Sequence, residues 1–164
     1  MKKISLLILI VFVLLGVTGC NNKKETDTKT MTCTYNSNDV ENGYKMSETK
    51  KITYKDDMTM IEAVSIIDIK FLNNEAKESM QDIIDSYETM KEAYNNGNYY
   101  QGLKLDVDSN GDRFKVTYTY DIAKMTEESI EESEFNNYIL KDNKFDINKF
   151  QKDNKNEDAT CVIK

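Results

Sequence analysis

The chain has no histidine, no proline and no tryptophan, and Arg113 is its sole arginine. Without histidine it lacks the side chain that most often acts as general base near neutral pH and as neutral metal ligand. A Ser/His/Asp triad or a Cys/His pair cannot form, and no glycine-rich phosphate loop is present. Cysteine is scarce as well: there are three, none in a C-x-x-C pair. These absences point away from an enzyme and imply no cofactor. Long apolar runs are missing too, except for one near the start. Ile4 to Gly19 carry no charge, but sixteen residues fall short of the ~20 that cross a hydrocarbon core.

That run follows Lys2 and Lys3, and a basic start before a short apolar stretch is the pattern of a secretory signal. It ends at Val17-Thr18-Gly19-Cys20, which resembles a bacterial lipobox. The resemblance implies that residues 1–19 are a lipoprotein signal peptide and that Cys20 takes a diacylglyceryl group once the leader is cut. Two or three acyl chains anchor firmly, since each buried methylene contributes ~0.8 kcal/mol. The expected location is the cell membrane, lipid-anchored on the extracytoplasmic face. Asn21 to Thr30 hold no apolar residue, so residues 20–30 are expected to be a lipidated end and flexible tether. Residues 31–164 make one domain of ordinary size.

The formal charge is −7, or −9 once a leader bearing Lys2 and Lys3 is gone. An acidic domain repels nucleic acid and anionic lipid, which leaves the anchor as the membrane contact and a protein, peptide or glycan as partner. With Cys20 assigned to lipid, Cys33 and Cys161 remain, one near each end of the domain. In an oxidising exterior an even pair is expected to be a structural disulfide. A redox pair is the alternative, weakened by the distance between them in sequence.

Asn110-Gly111 predicts a hairpin with a two-residue type I′ turn. Val107 would then face Phe114, Leu105 would face Val116, and Asp108 and Asp106 would meet Arg113 and Lys115. Upstream, Met31 to Asn36, Gly43 to Lys55 and Met58 to Phe71 are rich in Thr, Tyr, Ile, Val and Met and predict three antiparallel strands. The register at Asp56-Asp57 is left open. From Glu75 to Asn95, apolar residues at Ala76, Met80, Ile83, Tyr87, Met90 and Tyr94 form one stripe and predict a helix, capped by Asn73 or Asn74. Thr126 before Glu127 and Glu128 opens a short helix. Phe145-Asp146 with Phe150 reads as a hydrophobic staple opening another. Ala159 to Ile163 predicts a last strand carrying Cys161. The predicted class is α+β: a three-strand meander, an Asn-Gly hairpin and a short C-terminal strand in one antiparallel sheet, with one main amphipathic helix packed on it and short C-terminal helices.

On the lipobox at Cys20, Thr-Cys-Thr-Tyr at Cys33, the strand from Phe114 to Asp121 and the closing Thr-Cys at Cys161, the chain resembles the small YehR-like lipoproteins. That family has no known biochemical role, so the resemblance implies fold and location only.

Two segments invite a ligand. Asp106, Asp108 and Asn110 match the first half of an EF-hand loop, but its twelfth position is Thr117 where calcium wants a bidentate glutamate, and strand patterns flank it. Tyr94, Tyr99 and Tyr100 lie among asparagines, the residue types that adaptable binding surfaces favour, although a helix C-cap and strand entry with tyrosines sealing the sheet edge is the favoured account of them. Glu127, Glu128, Glu131, Glu132 and Glu134 read as a solvated acidic face. The functional expectation is a membrane-anchored binding module without catalysis. The alternative is a metal-binding or hydrolytic protein that uses its carboxylates.

Overall fold

The computed structural model describes residues 27–96 and 101–164. Its centre is a six-stranded antiparallel sheet in the order β4-β5-β3-β2-β1-β8. Strands β1 (Thr28–Asp39), β2 (Tyr44–Lys55) and β3 (Met60–Phe71) form the expected meander, and β4 (Leu103–Asn110) and β5 (Arg113–Asp121) the hairpin. Strand β8 (Thr160–Ile163) closes the sheet beside β1. A two-stranded ribbon, β6 (Ile139–Leu140) with β7 (Lys144–Phe145), stands apart from it. The helices are α1 (Asn74–Ser79), α2 (Gln81–Asn95), α3 (Glu127–Glu131) and α4 (Ile147–Asn156). Among the described residues no helix is long and apolar enough to cross a membrane.

One face of the sheet is buried. Its α2 half gathers Ile69, Phe71, Leu105, Val107, Phe114 and Val116 under Ile84, Tyr87 and Met90. The other half gathers Met31, Cys33, Ile52, Tyr54 and Ala63 under Phe135, Phe145 and Phe150. Phe150 sits among Phe135, Tyr138 and Phe145, with ring centroids 5.0–6.4 Å away. The local signals act where expected. Asn73 accepts from Ala76 N, Thr126 from Ser129 N and Asp146 from Lys149 N, each capping a helix start.

Cys33 and Cys161 are disulfide-bonded. Thr30 and Lys164 exchange both backbone bonds, at 2.9 and 3.0 Å. Counting along the ladder, Cys33 and Cys161 fall on a non-hydrogen-bonded pair, where facing side chains come closest. Their Cα atoms are 4.0 Å apart, closer than a disulfide outside a strand pair requires.

Four expectations need correction. The hairpin turn is Gly111-Asp112, with Asn110 opposite Arg113, so Val107 faces Val116 and Leu105 faces Tyr118. Of the two turn residues only Gly111 has positive φ (+61°), which matches a II′ turn with glycine first, whereas I′ needs both positive. The slip is two residues, so every side chain keeps its face. The helix expected over Glu75 to Asn95 breaks at Met80, whose ψ of 3° ends α1 before α2 begins. Thr28, Lys29 and Thr30, expected to be part of a flexible tether, belong to β1, which starts at Thr28. Thr30 shares a hydroxyl hydrogen bond with Thr53, and Lys29 pairs with Asp56 at 2.8 Å. Threonine suits a strand whose outer face needs no apolar residue. β1 also runs on past Asn36 to Asp39. The open register at Asp56-Asp57 resolves as a three-residue turn with Met58 at φ +67°, followed by a bulge at Thr53/Tyr54.

The edge strand β4 is covered by α2. Asn95 Nδ2 donates to Leu105 O at 2.8 Å and Leu105 N donates to Asn95 Oδ1, while Lys91 Nζ donates to Val107 O. One helix flank thus occupies backbone groups that would otherwise template a further strand.

Candidate functional site

Strand alternation sends the other set of side chains to a face on which no described residue is buried. Along β1 that face carries Thr28, Thr30, Thr32, Thr34, Asn36 and Asn38. Along β2 it carries Lys45, Ser47, Thr49, Lys51, Thr53 and Lys55. The register of β3, β5 and β4 adds Glu62, Val64, Ile66, Asp68, Lys70, Lys104, Asp106, Asp108, Arg113, Lys115, Thr117, Thr119 and Asp121, and no aromatic. Basic side chains outnumber acidic ones here although the chain as a whole is at −7.

At one end of this face lies an open concavity of about 610 Å³, lined by Asn36, Asn38, Lys45, Ser47, Asp68, Lys70 and Arg113 among others. The register explains its composition. Asn38 faces Lys45, Lys45 faces Lys70, Lys70 faces Arg113 and Arg113 faces Asn110. Five strands therefore place five hydrogen-bond donors in one cross-strand row, three of them cations in direct succession. At ~4.8 Å per strand the row is roughly 19 Å wide. Like charges directly opposite destabilise a sheet, so the row carries a local cost. Part of it is offset. Arg113 grips Asp68 with both Nε (2.7 Å) and Nη2, and that hydrogen bond holds the Asp68 carboxyl below the usual range. Lys70 reaches Asp112 at 3.7 Å. Lys45 has no ion pair among the described residues.

Asp106, Asp108 and Asn110 belong to this face too, but on a straight strand. At two-residue spacing they stand about 7 Å apart along β4 and do not wrap a cation. Asp106 pairs with Lys91 at 2.9 Å, and Asp108 faces Lys115. No three carboxylate or thiol side chains converge for a metal among the described residues.

Tyr94 lies on the buried side, its ring edge-on to Tyr118 at 6.4 Å. Tyr118 stacks on Tyr120, and Tyr120 OH donates to Glu134 Oε1 at 3.3 Å. Enclosure pushes the Glu134 carboxyl up despite hydrogen bonds from Ser65 and Tyr120 and the field of Lys50. Lys50 itself pairs with Glu48 at 3.0 Å; burial opposes its charge, but Glu48, Glu134 and Glu157 together raise it. Beside this network the space lined by Cys33, Tyr35, Glu48 and Lys50 is only about 10 Å³. Tyr99, Tyr100 and the lipobox at Cys20 lie outside the described residues. Glu134 was hidden in sequence by the acidic run around it. The donor row was hidden by the −7 total, though the outward period of β2 (Lys45, Ser47, Thr49, Lys51, Thr53, Lys55) is visible in the letters.

No family model matches the chain, and no curated protein matches it. A solved structure described as "NMR structure of the protein from Streptococcus pneumoniae TIGR4" is similar in fold, with a TM-score of 0.55 and 17% identity. The match covers 86% of this chain and 88% of that one. The likeness fits the α+β class with one antiparallel sheet and helices on one side of it.

Proposed function

We propose that the chain is an extracytoplasmic lipoprotein, anchored through Cys20, that acts as a binding module without catalysis and takes its ligand on the open sheet face. The observation that carries this is the donor row of Asn38, Lys45, Lys70, Arg113 and Asn110, the first four of which line the open concavity of about 610 Å³. Its position suits presentation away from a membrane. Thr28, where the chain enters from the tether, and Asn38 stand at opposite ends of β1, roughly 34 Å apart. The carboxylate alternative would draw on Glu48 and Glu157, but the space of about 10 Å³ that they line admits no substrate.

Thermal unfolding in the presence of cell-wall fragments, calcium or zinc separates the two, since a ligand of the native state raises the melting temperature. A shift with fragments that disappears in Lys45→Glu supports the module. A shift with metal alone, retained in Lys45→Glu, supports the carboxylate alternative. For the anchor, mass spectrometry of membrane-derived protein should find Cys20 lipidated and residues 1–19 removed.

A further inference from the structure

The open face is unusual in what it omits. A surface that docks a folded protein is built around aromatic or arginine anchors. Among the described residues the face has no aromatic, and its single guanidinium is already held by Asp68. A surface for single-stranded nucleic acid stacks bases on aromatic rings, and these are missing for the same reason. What remains is a sheet of hydroxyls and amides (Thr32, Thr34, Asn36, Asn38, Ser47, Thr49) crossed by lysine ammoniums at Lys45, Lys51 and Lys70. Hydroxyl and amide groups exchange hydrogen bonds with polyhydroxyl chains. Ammoniums recognise anions as point charges, without the planar two-point geometry that an arginine offers a carboxylate.

Resting on the binding-module reading, we propose that the Asn38–Lys45–Lys70–Arg113–Asn110 row is an anion-binding strip whose ligand is a phosphodiester-linked polyol or sugar chain. Three observations converge on it. Asn38, Lys45, Lys70 and Arg113 of the row line an open concavity of about 610 Å³. It places Lys45, Lys70 and Arg113 directly opposite one another, an arrangement that a bound polyanion relieves and a free sheet does not favour. And basic groups outnumber acidic ones on this face of an acidic chain, Lys45 being without an ion pair among the described residues, so that the local field favours an anionic polymer here over the helical side. The flanking hydroxyl rows on β1 and β2 then meet the polyol between phosphates. Binding involves no covalent step.

The test uses the full chain purified in detergent and a short synthetic poly(glycerol phosphate), followed by calorimetry. Binding is expected to weaken as salt rises, in the manner of a few released counterions. The double variant Lys45→Glu/Lys70→Glu should lose at least about tenfold in affinity, a loss of one or more factors of ten in Kd. Lys152→Glu/Lys155→Glu changes the net charge equally on exposed positions of α4 and should bind as the unaltered chain does. If the first pair fails to fold, Lys45→Gln/Lys70→Gln carries the same expectation at smaller size. Equal loss in the α4 variant overturns the strip, because binding then follows net charge alone. Tighter binding of polygalacturonate overturns the phosphate assignment, and tighter binding of single-stranded DNA overturns the polyol. Should poly(glycerol phosphate) not bind while a neutral wall fragment does, and Lys45→Glu/Lys70→Glu abolishes that binding, the polyanion inference fails and the module stands. If no ligand responds to substitutions in the row, both fall.

Discussion

The two faces of the six-stranded sheet use different sets of residues. The sealed face is written in Phe, Tyr, Met, Ile and Leu and carries both the disulfide and the helices. The open face is written in Thr, Lys, Asn and Ser, with Val64 and Ile66 as its main apolar members. The first is bound by packing, so its residues answer to volume. The second is free of packing, so its residues are available to answer to a ligand. Substitutions on the sealed face should therefore change stability and leave binding alone, and those on the open face should do the reverse.

The largest effect is expected at Cys33 and Cys161. Their bond closes a loop with a sequence separation of 128, worth about 5 kcal/mol in the chain-entropy model and less if the unfolded chain keeps structure. Cys33→Ala/Cys161→Ala should lower the urea midpoint by the corresponding amount while the far-ultraviolet spectrum of the folded protein is unchanged. Two free thiols in oxidised native protein would contradict the bond. Next comes Phe150→Ala. The ring is fully buried among Phe135, Tyr138 and Phe145, and its removal should cost about 3–5 kcal/mol by chemical denaturation. A loss below about 1 kcal/mol would mean that the C-terminal lobe is not part of the core.

How much of this was legible in the letters differs between the faces for a physical reason. The sealed face announces itself, because burial imposes a period. Met80, Tyr87, Met90 and Tyr94 marked the helical stripe, although Ile84 is its buried member and Ile83 is exposed, and the caps at Asn73, Thr126 and Asp146 were each used. What failed there was local geometry that periodicity does not encode: the break at Met80, and a glycine that could serve as first or second turn residue at Asn110-Gly111-Asp112. On the open face no burial imposes a pattern, and only the pairing of β2 with β3 and β3 with β5 brings Lys45, Lys70 and Arg113 into a row. That pairing joins residues up to 68 positions apart, across a turn at Asp56-Asp57 whose register the sequence left open, so the site could not be read before the register was known.

Glu134 sharpens the comparison from the boundary between the two vocabularies, as an acid set against the sealed face. Enclosure raises its folded pKa above that of the unfolded chain. Its favourable contribution is therefore fully present below the ordinary glutamate range and is lost as pH rises through the folded value. Near neutrality it is a cost, so Glu134→Gln should raise the melting temperature at pH 7 and leave it nearly unchanged near pH 3.5. The gain should stay below about 1 kcal/mol, since much of the residue remains in water. Asp68 and Asp106 work with the opposite sign. The hydrogen bonds from Arg113 and Lys91 depress them, and that stabilisation holds above the ordinary aspartate range and fades as pH falls through it. A variant whose pH profile tracks the unaltered chain throughout would remove Glu134 from the enclosed network.

The smallest effect on stability belongs to the open face and has the most to say about why the row is there. Lys70 stands between Lys45 and Arg113 with its side chain 63% exposed, and its ion pair to Asp112 is long. An exposed pair of that length contributes little. Direct like-charge opposition on two sides costs more, within the ~0.2–1 kcal/mol that cross-strand pairs span. Threonine keeps the strand preference and removes the repulsion. Lys70→Thr should therefore stabilise the protein by a few tenths of a kcal/mol, roughly, in urea at low salt. The gain should shrink at high salt, where exposed charges are screened. The same substitution should weaken the anionic ligand. Stability gained as binding is lost is the signature expected of a residue kept for its ligand. A destabilised Lys70→Thr, or a gain that salt does not diminish, would show that the three cations do not repel one another in the folded sheet and that the row needs no bound anion to account for it.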